Sequence, residues 1–421
     1  MPFGRTIEPA AFALGVPMRF LMICMQYPLG SGDSYLTTEL ADALVGAGHQ
    51  VEVLLLDWGA PPGGDPEELI SSTGVRVLRC SPRRFDKAGS TVAHASKFVL
   101  SGAHLARVAR TELDLGAFEA AIAWMPATAI SPLIQMLERA GVKHRILFIW
   151  DFFPNHYREI GRIPRRLPYL VARAWERRLV RHFTTICCTL PGNADYFRRN
   201  YPLRTEQRVR VTPIWCDPTS RPPVDRTAMR RRHDLPPGRP IAVFGGQLVA
   251  GRGFEQMLAA ADDASRMQSS LLFLFVGAGP LSTIIRERAD PRGNVRWLPA
   301  MDRASYLDLL GACDVGMVAT VPGVTSFSIP SKTLDYLRAG LPVIAAVEAG
   351  SDFIDILHRY KVGAAVPFGD AASFRREAER LATDPQVRAG IRAATRRCLD
   401  EVFDVRHAAR EVLDAAGANA A

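Results

Sequence analysis

The chain reads as α/β, with two open, doubly wound domains in tandem, each on a mostly parallel sheet. Three observations lead there. Short apolar runs alternate with helical periodicity along most of the 421 residues, the pattern of a parallel sheet with helices between its strands. That length exceeds what one hydrophobic core organises. The alternation is broken once, by a Pro- and Arg-rich stretch near the middle, and then restarts.

The elements follow in order. Residues 1–17 precede the first apolar run and read as a disordered tail or an over-extended start. Met18 opens MRFLMICMQYP, which leads into a strand at Phe20–Gln26. PLGSGDS is a glycine-bearing loop, with Gly30, Ser31 and Gly32 at its centre. Leu36–Ala47 is an amphipathic helix closed by Gly48, and Val51–Leu56 is the second strand. Val75–Arg79, Ala120–Trp124, Arg145–Trp150 and Thr184–Cys188 are further strands. CDPTSRPPVDR and HDLPPGRP mark residues 216–239 as the linker. Strands resume at Ile241–Phe244, Leu271–Val276, Val295–Leu298, Val315–Ala319, Leu341–Ala346 and Gly363–Val366. From Ala371 the chain is helical almost to its end. The domains are therefore expected at 18–215 and 240–390, with helices at 391–421 that can cross back to the first.

Hydrophobic residues make up 48% and charged residues 23% of the chain, ordinary for a folded soluble protein. The net charge of +9 comes mostly from Arg and points to anionic partners, either phosphorylated metabolites or anionic lipid head groups. No aromatic-and-basic RNA motif, DNA-binding helix pair or zinc spacing is present, so nucleic acid is not expected. The seven cysteines form no Cys-x-x-Cys pair, a reduced, cytoplasmic pattern. No run of about 18 apolar residues suggests a membrane span.

The most telling stretch is SIPSKTLDYLRAGLPVI, Ser328 to Ile344. Pro330 precedes Ser331, Lys332 and Thr333, which can open a helix, and Gly340 can close it left-handed. A helix start suits a phosphate, and Asp335, one turn in, can reach a ribose hydroxyl. An ordinary βα unit with a surface Asp and Lys has the same spacing. Upstream, IAVFGGQLVAGRGFEQ places Gly245 and Gly246 after a strand and Arg252 at the start of a helix. A guanidinium there can neutralise a leaving diphosphate. Gly277 and Gly279, then Pro322 and Gly323, follow other strands on the same edge. The first-domain glycine loop is not Gly-x-Gly-x-x-Gly, since Tyr35 stands at its third position, so a dinucleotide fingerprint is not supported.

FGGQLVAGRG, FVGAGP, the segment from Val295 to Val318 and the Ser328–Ile344 stretch resemble, in order and spacing, the retaining GT-B glycosyltransferases of family 4. LADALVGAGHQVEVL resembles the opening of that family, and VRVTPIWCD its inter-domain segment. The Pro-Ser-Lys motif resembles the bacterial subtype that builds polysaccharide or glycan chains. The resemblance covers most of residues 18–400. It implies two Rossmann-like domains facing across a cleft and a hexosyl transfer from a nucleotide sugar, UDP- or GDP-linked, with retention. The acceptor it implies is a glycan or lipid-linked sugar. Cell-surface polysaccharide or glycoconjugate synthesis is the expected setting.

Residue by residue, the resemblance puts Arg252 on the donor diphosphate and Gln247 where a second cation is common. Gly246 and Gly277 give the nucleotide backbone room, and Ser331, Lys332 and Thr333 hold phosphates. Asp335 takes the ribose-binding place usually held by Glu. Phe327 stands where the family has its other carboxylate. Gly30, Ser31 and Gly32 fall on the acceptor side. FIWDFFPNHYREIG brings Asp151 and His156 to acceptor binding or deprotonation, with Trp150 where the family has a His. No Asp-x-Asp site is present, so neither a metal nor a tightly bound cofactor is expected. The replacements at Phe327 and Trp150 leave open a non-catalytic nucleotide-sugar-binding protein, and an epimerase on the same fold is a further alternative.

Arg162, Arg165, Arg166, Arg173, Arg177, Arg178 and Arg181 interleave with Leu167, Leu170, Val171 and Trp175. Such a helix lies on an anionic membrane face, making the protein peripheral, or packs on its own sheet with an Arg-rich outer side.

Overall fold

Runs of four to seven residues, rich in Val, Ile, Leu and Ala, form the strands of two sheets. The structure, a computed structural model, describes residues 16–30, 35–83, 91–219, 224–290, 292–321, 323 and 329–418. Ser31, Gly32, Phe327 and all but two of residues 1–17 lie outside the described residues. The chain divides into two units, one running to Asp217 and resuming at Val405, the other spanning Pro218–Asp404.

The first unit holds β1 (Arg19–Cys24), β2 (Gln50–Leu56), β3 (Glu67–Ile70), β4 (Arg76–Cys80), β5 (Ala120–Trp124), β6 (His144–Ile149), β7 (Thr185–Cys188) and β8 (Arg208–Val211). Their order is β3-β4-β2-β1-β5-β6-β7-β8. All pairs are parallel except β3–β4. β1 is central, with Phe20 opposite Val51 on one side and Ala120 on the other. Its RFLMIC sequence is buried on both faces, which explains an unbroken apolar run rather than an alternating one. Leu21, Ile23, Leu54, Leu78, Leu147 and Ile186 share one core with helical residues such as Leu105, Leu133 and Phe197. Each such burial contributes about 1.5–3 kcal/mol. The helix Val405–Ala415 belongs to this unit, and its Glu411 accepts from Arg210 of β8 at 2.7 Å.

The second unit holds β9 (Ile241–Gly245), β10 (Leu272–Val276), β11 (Val295–Leu298), β12 (Val315–Ala319), β13 (Val343–Ala346) and β14 (Gly363–Val366), in the order β11-β10-β9-β12-β13-β14. Every pair is parallel. Phe244, Phe254, Phe273 and Phe275 fill its core.

The Pro- and Arg-rich stretch read as linker carries a helix, Arg226–Arg232, that belongs to the second unit. Asp225 caps it by accepting from the Thr227 and Ala228 N–H groups. Arg230 is 3% exposed. It donates to the carbonyls of Ala312, Pro236, Pro237 and Arg239 and to the Asp314 carboxylate. A buried Arg whose three nitrogens all donate within the fold is structural, which composition alone does not reveal. The segment 391–404, read with the returning helices, clusters with the second unit. The described cysteines are free and buried. Among the described residues no helix is long and apolar enough to cross a membrane.

Candidate functional site

In the second sheet the chain runs through β9, β10 and β11 to one side and through β12 to β14 on the other, so the order reverses between β9 and β12. Open α/β sheets bind ligands beyond the carboxyl strand ends at such a reversal. Glycines occupy that edge. Gly246 follows β9 with φ +128° and Gly277 follows β10 with φ +146°. A Cβ on Gly277 would lie 1.9 Å from the Gly246 carbonyl oxygen, so no other residue fits without moving the loop. The Gly246 N–H donates to the Val276 carbonyl at 3.0 Å, and the Leu248 N–H to Ala278 at 2.9 Å. Gly253, with φ +63°, precedes the helix Phe254–Arg266. Its missing Cβ would lie 2.4 Å from that of Ala319 at the end of β12. This approach sets Arg252, an exposed residue, at the same sheet edge, and Gln247 is exposed beside Gly246.

Lys332 opens the helix Lys332–Arg338. Its side chain reaches back to the glycine turn: a Cβ on Gly246 would meet Cε at 3.4 Å and Nζ at 3.7 Å. Nζ also sits 4.6 Å from the centre of the Phe244 ring. Burial pushes the pKa of this ammonium down to about 7, Arg252 pushes it the same way, and Asp335 pulls it up. Among the described residues no carboxylate forms an ion pair with it.

Asp335 is paired within its own unit. Its two oxygens accept from Arg303 at 2.6 and 3.0 Å. The fold brings Arg303, on the helix Arg303–Leu310, across from it. Ser331 is exposed, and its side chain makes no capping bond. Thr333 is fully buried, with a hydroxyl that has no hydrogen-bond partner among the described residues. Gly340 has φ +72° and closes the helix as expected.

Two residues the motif reading passed over lie under the glycine turn. A Cβ on Gly245 would overlap the Tyr306 hydroxyl at 2.1 Å. The Tyr336 hydroxyl accepts from the Gly245 N–H and donates to the Met317 carbonyl, both at 3.3 Å. Tyr336 lies within the Pro-Ser-Lys stretch, one position after Asp335 and on the buried side of the helix, and that helical phase is the signal that points to it.

In the first unit the strand order reverses between β1 and β5. Gly30 lies on that side, after β1, and is exposed. Asp151 is exposed in the turn after β6, its carbonyl accepting from the Phe153 N–H at 3.1 Å. His156 lies on the short helix Asn155–Glu159, and its buried Nδ1 has no hydrogen-bond partner among the described residues. Trp150 belongs to an aromatic cluster, its ring centre 5.6 Å from Trp124, 6.0 Å from Trp215 and 6.2 Å from Tyr35. The Trp215 indole N–H donates to the Leu36 carbonyl at 2.7 Å.

The family models now match both units. Residues 34–215 match the Glycosyl transferase 4-like domain and residues 225–397 match Glycosyl transferases group 1. The chain belongs to the family-4 glycosyltransferases of GT-B fold. Over 141 residues it is 26% identical to the "Probable glycosyltransferase WbjE" of Pseudomonas aeruginosa, covering 33% of this chain and 35% of that protein. The match thus spans about a third of that relative. Sucrose-phosphate synthase from Thermosynechococcus elongatus has a similar structure, with TM-score 0.70 and 16% identity over 94% of this chain and 97% of the other. So does Anabaena HepE in complex with UDP and glucose, with TM-score 0.66 and 13% identity over 94% and 98%. Within this GT-B glycosyltransferase the second unit gathers Gly246, Gly277, Arg252 and Lys332, while Asp151 and His156 belong to the first. A half-buried ammonium beside the glycine turn and an exposed guanidinium can receive a dianionic diphosphate.

Proposed function

We propose that the protein transfers a hexose from a UDP- or GDP-sugar to a glycan or lipid-linked acceptor, with retention, in cell-surface polysaccharide or glycoconjugate synthesis. The observation that carries the donor half is the half-buried Lys332 ammonium, set against Gly246 and Phe244 beside Arg252 without a counter-ion among the described residues. A buried charge left unpaired is costly, and a bound diphosphate supplies the missing anion. As the bond from the anomeric carbon to the phosphate oxygen breaks, negative charge grows on the diphosphate. Lys332 and Arg252 stabilise it with fixed positive charge. These two cations take the part that a divalent metal plays elsewhere, so the reaction proceeds without one. The acceptor hydroxyl bonds to the same carbon and gives up its proton, with Asp151 or His156 as its receiver in the first unit.

Support for a uridine nucleotide comes from HepE, whose structure contains UDP and glucose. The Pro-Ser-Lys stretch supports the polysaccharide setting. The test is turnover of a UDP- and GDP-sugar panel, followed by release of free nucleotide. One nucleotide class should be hydrolysed slowly without acceptor, and Arg252→Ala should abolish this. Binding without any turnover supports the non-catalytic alternative, whereas an altered sugar formed from donor alone supports the epimerase.

A further inference from the structure

The helix Arg166–Leu179 satisfies its inward face within the first unit. Glu176, fully buried, accepts the N–H groups of Ala127 at 2.6 Å and Thr128 at 3.0 Å. Tyr169 donates to Asn155 at 2.8 Å, and Leu179 is buried. At 3.6 residues per turn, Leu167, Leu170, Val171 and Ala174 fall within about 100° of arc opposite Glu176. The outward stripe is apolar. Leu167 is 72%, Leu170 44% and Val171 58% exposed.

Arginines close both ends of the stripe: exposed Arg162, Arg165 and Arg166 before it, Arg178 and Arg181 after it. Among the described residues none of these five is in an ion pair. Arg165 is the N-cap and Arg166 the first helical residue, with no acid in the first turn. Cations there oppose the helix dipole, and the aliphatic side chains gain nothing from water. Local rules broken without internal compensation indicate an external partner.

We propose that this face docks the first unit on an anionic bilayer. Leu167, Leu170 and Val171 enter the boundary between head groups and acyl chains, and the flanking arginines pair with lipid phosphates. A soluble polyanion accounts for the arginines but not for the aliphatic stripe. A second copy would set the same arginines against each other across a two-fold interface.

The full-length protein is sedimented with phosphatidylcholine vesicles, with and without phosphatidylglycerol. Phosphatidylglycerol should raise partitioning at least about tenfold at low salt, with partial loss at high salt. Arg165→Glu/Arg166→Glu and Leu167→Ser/Leu170→Ser/Val171→Ser should each lose about that factor while melting like the parent protein. Hydrogen exchange on the unsubstituted protein reads the same face, and amides of residues 162–174 should slow on anionic vesicles. Equal pelleting with neutral and anionic vesicles overturns the proposal, as do unchanged exchange and variants that bind like the parent. A concentration-dependent dimer abolished by the serine substitutions, without vesicle binding, assigns the face to a second copy instead. Neither donor nor acceptor enters the readout, so this surface stands or falls apart from the transfer reaction.

Discussion

Asp335 follows Lys332 by less than one helical turn, yet its carboxylate is held by Arg303 at 2.6 and 3.0 Å. The lysine is left with the Phe244 ring and the Gly246 backbone as neighbours. Among the described residues the ammonium has no carboxylate partner, and the proposed diphosphate would supply the anion.

The stability cost of the arrangement is measurable. Lys332→Met removes a half-buried ammonium that has no carboxylate partner among the described residues, and keeps most of its volume. It should raise the melting temperature by a few degrees, corresponding to about 1–2 kcal/mol. Differential scanning calorimetry on the two proteins reads this directly.

The pH dependence has a definite sign. The folded-state pKa of Lys332 is depressed to about 7 from 10.5. Between these values the unfolded chain holds more protons, so this group makes stability rise with pH from about 7 toward 10.5. Lys332→Met should flatten that rise in melting curves taken across the window. Nucleotide diphosphate binding should take up protons near pH 8, visible as a dependence of the calorimetric heat on buffer ionisation enthalpy.

Arg303 and Asp335 should behave as one unit. Their side chains are 28% and 13% exposed, so solvent screening tempers the pair. Asp335→Asn should cost about 1–2 kcal/mol. In a double-mutant cycle with Arg303→Met the two losses should overlap rather than add. Additive losses would mean the carboxylate has another stability role.

Gly277→Ala tests the backbone contact. The added Cβ has 1.9 Å to the Gly246 oxygen, and φ +146° is strained for alanine. Destabilisation of about 2–4 kcal/mol is expected in urea unfolding, with weakened nucleotide binding.

Much of this was legible in the sequence because buried parallel strands are continuous apolar runs. AAIAW and VGMVA fall at β5 and β12 as read. EELI of β3 was not, since an exposed, antiparallel edge strand carries no apolar run. The helix Arg226–Arg232 was hidden by the prolines around it and by an arginine that turned out to be buried. The motif placed Lys332 and Gly246 in one region, but neither the approach of the ammonium to the Phe244 ring nor the Arg303 partner of Asp335 follows from local spacing. Both depend on helices brought together by the sheet.

Isothermal titration of UDP and GDP into the intact protein and into Lys332→Met tests the donor site most directly. The account predicts that one nucleotide binds the parent protein and that the substitution weakens it about tenfold to a hundredfold, the loss of one charge-assisted contact. Equal affinity in a correctly folded Lys332→Met protein, or no binding of either nucleotide to the parent, would contradict it.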